Sequence, residues 1–288
     1  MSELARRIAF AVVAAPLAIA VVWFGDAALA TLLGIVAALG AWEFYRIAAA
    51  GGTQPLAGAG IVAAAILPLL VHAHYRAVFT TPTVVGVLFA LGVLAAAIWR
   101  RGVTGKPLGA TAATVFGVLY VAVPLCYGYA LRYHDYAVGR AAGTAVIMLP
   151  VLLTWASDIG AYAVGRMIGR RKLIPSVSPG KTVEGALGAL VATVLVALLY
   201  ERFVLRPYAQ LAMAPWWAAA FGLVISVAAQ IGDLAESLLK REAGVKDSSH
   251  LLPGHGGILD RFDSLFFVLP VSYLLLGWLV LPAPGAGR

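Results

Sequence analysis

The chain has 288 residues, of which 62% are hydrophobic and 12% charged, with 21 Lys and Arg against 13 Asp and Glu; an ordinary soluble domain carries about 25% charged residues. With a mean hydropathy of +0.92, the apolar surplus exceeds what one water-facing core can bury, which excludes a soluble globule and makes lipid the expected solvent. The 31 Gly and 15 Pro follow no period of three, which excludes collagen, and the single cysteine, Cys126, excludes an intramolecular disulfide.

Nine apolar stretches are long enough to cross a bilayer, at about 8–24, 27–45, 56–72, 83–99, 109–131, 142–165, 184–200, 215–239 and 264–282. The expected architecture is an all-α, polytopic integral membrane protein. Its natural division is into N-terminal spans, 1–140, and a C-terminal half, 141–288, with loops at 166–183 and 240–263. Arg6-Arg7 before the first apolar run has the shape of a signal peptide, but eight further spans make a retained first helix the simpler reading. An odd number of spans puts the two ends on opposite sides. With the N-terminus inside, fifteen of the 21 basic residues are cytoplasmic: Arg6, Arg7, Arg46, Arg100, Arg101, Lys106, Arg166, Arg170, Arg171, Lys172, Lys181, Lys240, Arg241, Lys246 and Arg261. That asymmetry fixes the expected orientation. Nine of the fifteen fall in two loops, after the sixth and eighth spans, so the basic excess points at a cytoplasmic anion.

After the sixth span the chemistry becomes dense. Asp158, Tyr162 and Arg166 are spaced i, i+4, i+8 on one helical face, followed by Arg170-Arg171-Lys172 and by Ser178-Pro179-Gly180-Lys181-Thr182. Gly180-Lys181-Thr182 invites a P-loop reading, which fails because Pro175 stands where that motif needs glycine and a span, not a strand, precedes it. What survives is a hydroxyl, a glycine and a lysine entering a helix, a plausible anion cradle. At the end of the eighth span Gln230, Asp233, Glu236, Ser237, Lys240 and Arg241 recur at steps of three and four and share a face. An Asp at the centre of a span costs about 2.5 to 3.5 kcal/mol on insertion scales, so Asp233 needs a cation. Lys240 or a metal completed by substrate could supply it.

The segment that follows contains Lys246-Asp247, Gly254-His255-Gly256-Gly257 and Asp260-Arg261-Phe262-Asp263, mixing acids, bases and glycines. A topology anchor needs neither acids nor glycines. The glycine run resists helix formation, so Asp260 and Asp263 are expected at the N-terminus of the last span, where the backbone dipole favours negative charge. There they either cap the helix or, folded back by the glycine turn towards Asp233, serve a metal. Mg2+ commonly takes one or two protein carboxylates and fills its other positions with water and phosphate oxygens.

The 27 residues from Ser237 to Asp263 resemble the signature of the CDP-diacylglycerol synthases, or phosphatidate cytidylyltransferases, in their Ser237, Lys240-Arg241, Lys246-Asp247, His255-Gly256-Gly257 and Asp260-Arg261-x-Asp263 positions. The Ser178–Thr182 loop and Asp158-x-x-x-Tyr162 are similar to family features too, whereas residues 1–140 match only as generic spans. The resemblance implies transfer of a cytidylyl group from CTP to phosphatidic acid, giving CDP-diacylglycerol and pyrophosphate for phospholipid biosynthesis at the cytoplasmic ends of the spans, in the inner membrane. It implies Mg2+ on Asp233 and Asp260, with catalytic Lys181, Ser237, Lys240, Arg241 and Asp260. Substrate contacts fall to Asp158, Tyr162, Arg166, Ser178, Thr182, Lys246, Asp247, His255, Gly256, Gly257, Arg261 and Asp263. A monovalent cation beside Mg2+ and a homodimer stay open, and no nucleic acid is expected. Two other classes use intramembrane acids. A secondary transporter would not explain so dense a loop, and a CDP-alcohol phosphotransferase needs paired aspartates around Ala-Arg that 233–263 lacks.

Overall fold

The computed structural model describes residues 12, 16–251, 256–279 and 281–282. Nearly all of them are helical. In chain order the elements are α1 (Asp26–Ala50), α2 (Ala57–Tyr75), α3 (Val84–Arg100), α4 (Pro107–Gly117), α5 (Val123–Arg132), α6 (Gly139–Ile168), the strands β1 (Lys172–Ile174) and β2 (Ser178–Thr182), α7 (Val183–Tyr200), β3 (Leu211–Ala212), α8 (Pro215–Glu242), α9 (Leu259–Leu279) and β4 (Leu281–Pro282). A π-helical turn, Val118–Ala122, joins α4 to α5 into one span, and another π-helical segment, Glu201–Ala209, prolongs α7.

Among the described residues seven helices are long and apolar enough to cross a membrane, and α3, with 17 residues, is a shorter apolar helix. The chain is thus an all-α, multi-pass membrane protein. The first expected span, 8–24, lies largely outside the described residues; 12 and 16–24 are helical. The last span begins at Leu259 and not at 264, so Asp260 and Asp263 stand in its first turns, at the helix N-terminus as expected. The seventh runs past 200 because the π-helical segment continues it through Pro207, which has no N–H to give to an α-helical bond.

The chain forms two compact units, one made of the part through Tyr129 with Leu239–Phe262, the other of Ala130–Leu238 with the part from Asp263 onward. In the first, α1 packs along α2. Glycine makes this approach close: the Tyr45 ring occupies the space that a Cβ at Gly60 or Gly117 would need. The Tyr45 hydroxyl donates to the Thr114 carbonyl at 2.7 Å, and the Thr114 hydroxyl accepts from the Leu56 amide at 2.8 Å. Polar groups in a span must find such partners, because lipid offers none.

In the second unit α6 packs along α7 through small residues. A Cβ at Gly160 would lie 2.6 Å from Ala192 Cβ and 2.7 Å from the Gly188 carbonyl oxygen. On the other face of α7, Leu187, Val191, Leu195 and Leu199 form an exposed stripe at steps of four, the face a bilayer would cover. Gly160→Val should therefore cost about 1 to 3 kcal/mol, read as a lower unfolding midpoint in detergent. Gly92→Ala, in α3 with nothing within 4 Å of the added carbon, should leave the midpoint unchanged or raise it.

Between α6 and α7 the chain makes an antiparallel hairpin, with Lys172 opposite Thr182 and Ile174 opposite Ser178. Two devices tie it to α7. The Thr182 hydroxyl caps the helix by accepting from the Gly185 amide at 3.1 Å. Glu184, in the first turn, accepts the Arg170 and Arg171 amides at 3.0 and 3.2 Å and the Arg171 guanidinium at 3.2 Å. The basic run is thereby held at the helix end.

Candidate functional site

In the second unit, the residues that the sequence places on separate elements converge. Asp158, Tyr162 and Arg166 from α6, Lys181 and Thr182 from the hairpin, and Gln230 and Asp233 from α8 line one cavity of about 620 Å3. Its centre is an ion pair: Lys181 Nζ lies 2.6 Å from Asp233 Oδ2, with the two side chains 26% and 35% exposed. The Asp158, Tyr162, Arg166 face is maintained, and Arg166 donates to the Tyr162 hydroxyl at 2.6 Å. Ser237 Oγ lies 3.5 Å from Asp233 Oδ1. The cavity therefore joins two carboxylates, two cations and several hydroxyls, and its Asp233 is open enough to meet a ligand.

One sequence expectation needs correcting here. Lys240, offered as a partner for Asp233, instead lies in the first unit with its Nζ 2.7 Å from Asp260 Oδ1. The cause is geometric: seven residues along a helix is about 10.5 Å of rise, whereas the hairpin delivers Lys181 directly to Asp233.

Asp260 sits in a cup of donors. Besides Lys240, its carboxylate accepts the Ser248 amide at 3.1 Å, the Ser248 hydroxyl at 2.8 Å and the Gly257 amide at 2.9 Å. Only 9% of its side chain is exposed, and 11% of that of Lys240. The two glycines make the cup possible. Gly256 has φ +81°, and a Cβ there would lie 2.9 Å from Asp260 Oδ2; at Gly257 it would strike the Ser248 hydroxyl and approach Glu43 Oε1 to 2.6 Å.

That last neighbour is a residue the sequence reading passed over. Glu43, in α1, is fully buried. Its Oε1 accepts the Ser249 hydroxyl at 2.5 Å and the Ile258 amide at 3.0 Å, and its Oε2 accepts the Ser248 hydroxyl at 3.0 Å and the Leu259 amide at 2.6 Å. A glutamate inside an apolar span is itself a signal, since such a group is costly unless partnered. Its partners lie more than 200 residues away along the chain, out of reach of any local pattern.

The remaining candidates are distributed around these two centres. Asp247 lines a second cavity in the first unit, of about 460 Å3, with Trp42, Arg46, Ser249 and His250. Arg241 is exposed and reaches the Val245 carbonyl at 3.3 Å. Lys246 and Arg261 are exposed, and Ser178 is half-buried in β2 outside the Asp233 cavity. Asp263 accepts the amide of its own neighbour Ser264 at 2.6 Å, as a helix-terminal carboxylate can. His255 lies outside the described residues.

The donor set can be tested against Mg2+. Mg2+ commonly uses one or two protein carboxylates and keeps its waters; among the described residues no group of three or more His, Cys, Asp or Glu could hold a metal ion. Asp233 fits that role from the edge of a roomy cavity, with the Lys181 ammonium on one of its oxygens. Asp260 would serve it only in exchange for a donor already present, since its Oδ1 accepts from Lys240 and its Oδ2 from Ser248 and Gly257.

These features have relatives. The chain is 43% identical to the phosphatidate cytidylyltransferase of Staphylococcus epidermidis over 162 residues, 56% of this chain and 57% of that protein. Over 137 residues, 48% of this chain and 51% of the other, it is 46% identical to the protein of the same name from Staphylococcus aureus. It therefore spans just over half the length of the curated relatives it matches. The model of the cytidylyltransferase family matches residues 5–279, covering the Asp233 cavity and the Asp260 cup alike, and the chain belongs to that family.

Proposed function

We propose that the protein transfers a cytidylyl group from CTP to phosphatidic acid, releasing pyrophosphate and forming CDP-diacylglycerol for phospholipid biosynthesis. The observation that carries this reading is the pair of carboxylate and lysine centres, Asp233 with Lys181 and Asp260 with Lys240, in a membrane chain of this family. In the reaction an ionised phosphate oxygen of the lipid attacks the α-phosphorus of CTP. A P–O bond forms there, and the bond to the β-phosphate breaks, its electrons leaving with pyrophosphate. A phosphate monoester is already largely ionised near neutral pH, its second pKa being about 6, so no strong protein base is needed. The difficulty is to bring two polyanions together and to stabilise the leaving charge.

The side chains supply that. Lys181 and Arg166 offer positive charge to phosphate in a cavity with room for a head group, and Lys240 does so beside Asp260. Mg2+, served by Asp233 and Asp260, would add charge to the triphosphate. Were Mg2+ to replace the ammonium at either carboxylate, that lysine would be free to meet a phosphate oxygen. Ser237 and Arg241 are the remaining catalytic groups of this reading, and Asp158, Tyr162, Ser178, Thr182, Lys246, Asp247, His255, Gly256, Gly257, Arg261 and Asp263 its remaining substrate contacts. Label in the α-phosphate of CTP should appear in the lipid product and label in the γ-phosphate in pyrophosphate. CTP-independent uptake of solute by vesicles, with no labelled lipid, would favour a transporter instead.

We further propose that the protein resides in the inner membrane with its N-terminus and both basic loops cytoplasmic, as the positive-inside bias indicates. In a Cys126→Ser background, single cysteines at Ser176 and Glu242, both exposed, should resist a membrane-impermeant thiol reagent in intact cells and react once the membrane is opened. Reaction in intact cells would reverse the orientation.

A further inference from the structure

We infer that Glu43 is a positioning residue for the reaction: from within α1 it holds Ser248, Ser249, Ile258 and Leu259 so that Asp260 is presented to the nucleotide and its cation. The inference rests on the function proposed above. The hydrogen bonds of Glu43 go to the neighbours of Asp260 and not to Asp260 itself, so it acts through what it holds. Both of its oxygens are used, each by one hydroxyl and one backbone amide, and the four donors come from the two ends of the glycine-containing loop: Ser248 and Ser249 before it, Ile258 and Leu259 after it. One side chain thus closes the loop and caps the N-terminus of α9. A carboxylate suits this place for two reasons. The first amides of a helix have no intrahelical acceptor, and the helix dipole favours an acceptor of negative character there.

The link to Asp260 is direct at two points. The Ser248 hydroxyl lies 3.0 Å from Glu43 Oε2 and 2.8 Å from Asp260 Oδ2, so its single proton is available to either carboxylate. The Leu259 amide held by Glu43 belongs to the residue preceding Asp260, which sets where the Asp260 backbone begins. The absence of any side chain at Gly257 is what lets Glu43, Ser248 and the loop meet, since a Cβ there would collide with both polar groups. A contact whose only task was to join α1 to α9 could be apolar. A fully buried carboxylate with every donor drawn from the segment around Asp260 is a costly arrangement, and its specific product is the geometry of that segment.

Glu43→Gln keeps the size but turns one acceptor oxygen into an NH2 facing a backbone N–H. Ser248→Ala leaves the Ser249, Ile258 and Leu259 bonds and removes only the bridge to Asp260. With purified protein in detergent, Glu43→Gln should raise the Mg2+ concentration for half-maximal turnover at least tenfold, and Ser248→Ala at least threefold, with the KM for phosphatidic acid within twofold of wild type. Independently of turnover, the rise in unfolding midpoint that CTP and Mg2+ produce in wild type should require correspondingly more Mg2+ in both variants. A lowered midpoint with unchanged Mg2+ dependence would make Glu43 merely structural and overturn the inference. If Glu43→Gln fails to fold, Ser248→Ala decides alone, and an unchanged Mg2+ requirement overturns it. A wild-type protein that forms no CDP-diacylglycerol overturns the underlying function, and the inference with it.

Discussion

Asp233→Asn and Asp260→Asn should each lower turnover by more than tenfold per folded molecule, a loss of at least about 1.36 kcal/mol of transition-state stabilisation. Asparagine keeps the shape of the side chain and one oxygen, but neither the charge that holds a lysine nor the charge proposed to serve Mg2+. The two substitutions should differ in stability, and the difference follows from burial. At Asp233 the partners are 26% and 35% exposed, so Lys181 can turn to water and the unfolding midpoint should move little. At Asp260 the pair is nearly closed off. Its loss takes the Asp260 carboxylate away from a nearly buried ammonium, and removing one partner of a buried pair costs about 3 to 5 kcal/mol. Unfolding midpoints in detergent, measured beside turnover, separate the two effects. Retention of more than about a tenth of wild-type turnover by both variants would remove the carboxylates from the mechanism.

Lys181→Gln should lower kcat/KM by about a hundredfold, the size expected when one preorganised donor to a developing charge is removed. The substitution leaves the β1 and β2 hairpin its anchors, because Thr182 and Glu184 hold it without Lys181. Lys181→Arg should retain more activity than Lys181→Gln, since the charge remains while the fit to Asp233 changes. Steady-state kinetics on the three proteins read this directly. Unchanged kinetics in Lys181→Gln would mean that the basic loop serves only to orient the chain in the membrane.

The spans were legible because lipid imposes a simple rule: about twenty apolar residues with every backbone group satisfied inside the helix. Stretches such as 215–239 and 56–72 need no tertiary knowledge. The candidate residues of 233–263 stood out for the opposite reason, since carboxylates and glycines at the end of a span have no role in solvation. What the sequence does not contain is partnership. The spacing put Asp233 and Lys240 on one face, yet each lysine pairs with the carboxylate that a turn or hairpin brings to it. Glu43 stood in plain view in the second span as a costly acid, but only the fold shows that its bonds go to residues 248–259. The π-helical segment at Glu201–Ala209 was hidden likewise, because Pro207 signals a break and not which irregular helix replaces it.

The most direct measurement is the stoichiometry of turnover by the purified protein in detergent micelles containing phosphatidic acid. With CTP and Mg2+ present, CDP-diacylglycerol and pyrophosphate should form in equal amounts, and omission of the lipid, the nucleotide or the metal ion should abolish both. Pyrophosphate released from CTP without phosphatidic acid, or the absence of CDP-diacylglycerol when all three are supplied, would contradict cytidylyl transfer to the lipid.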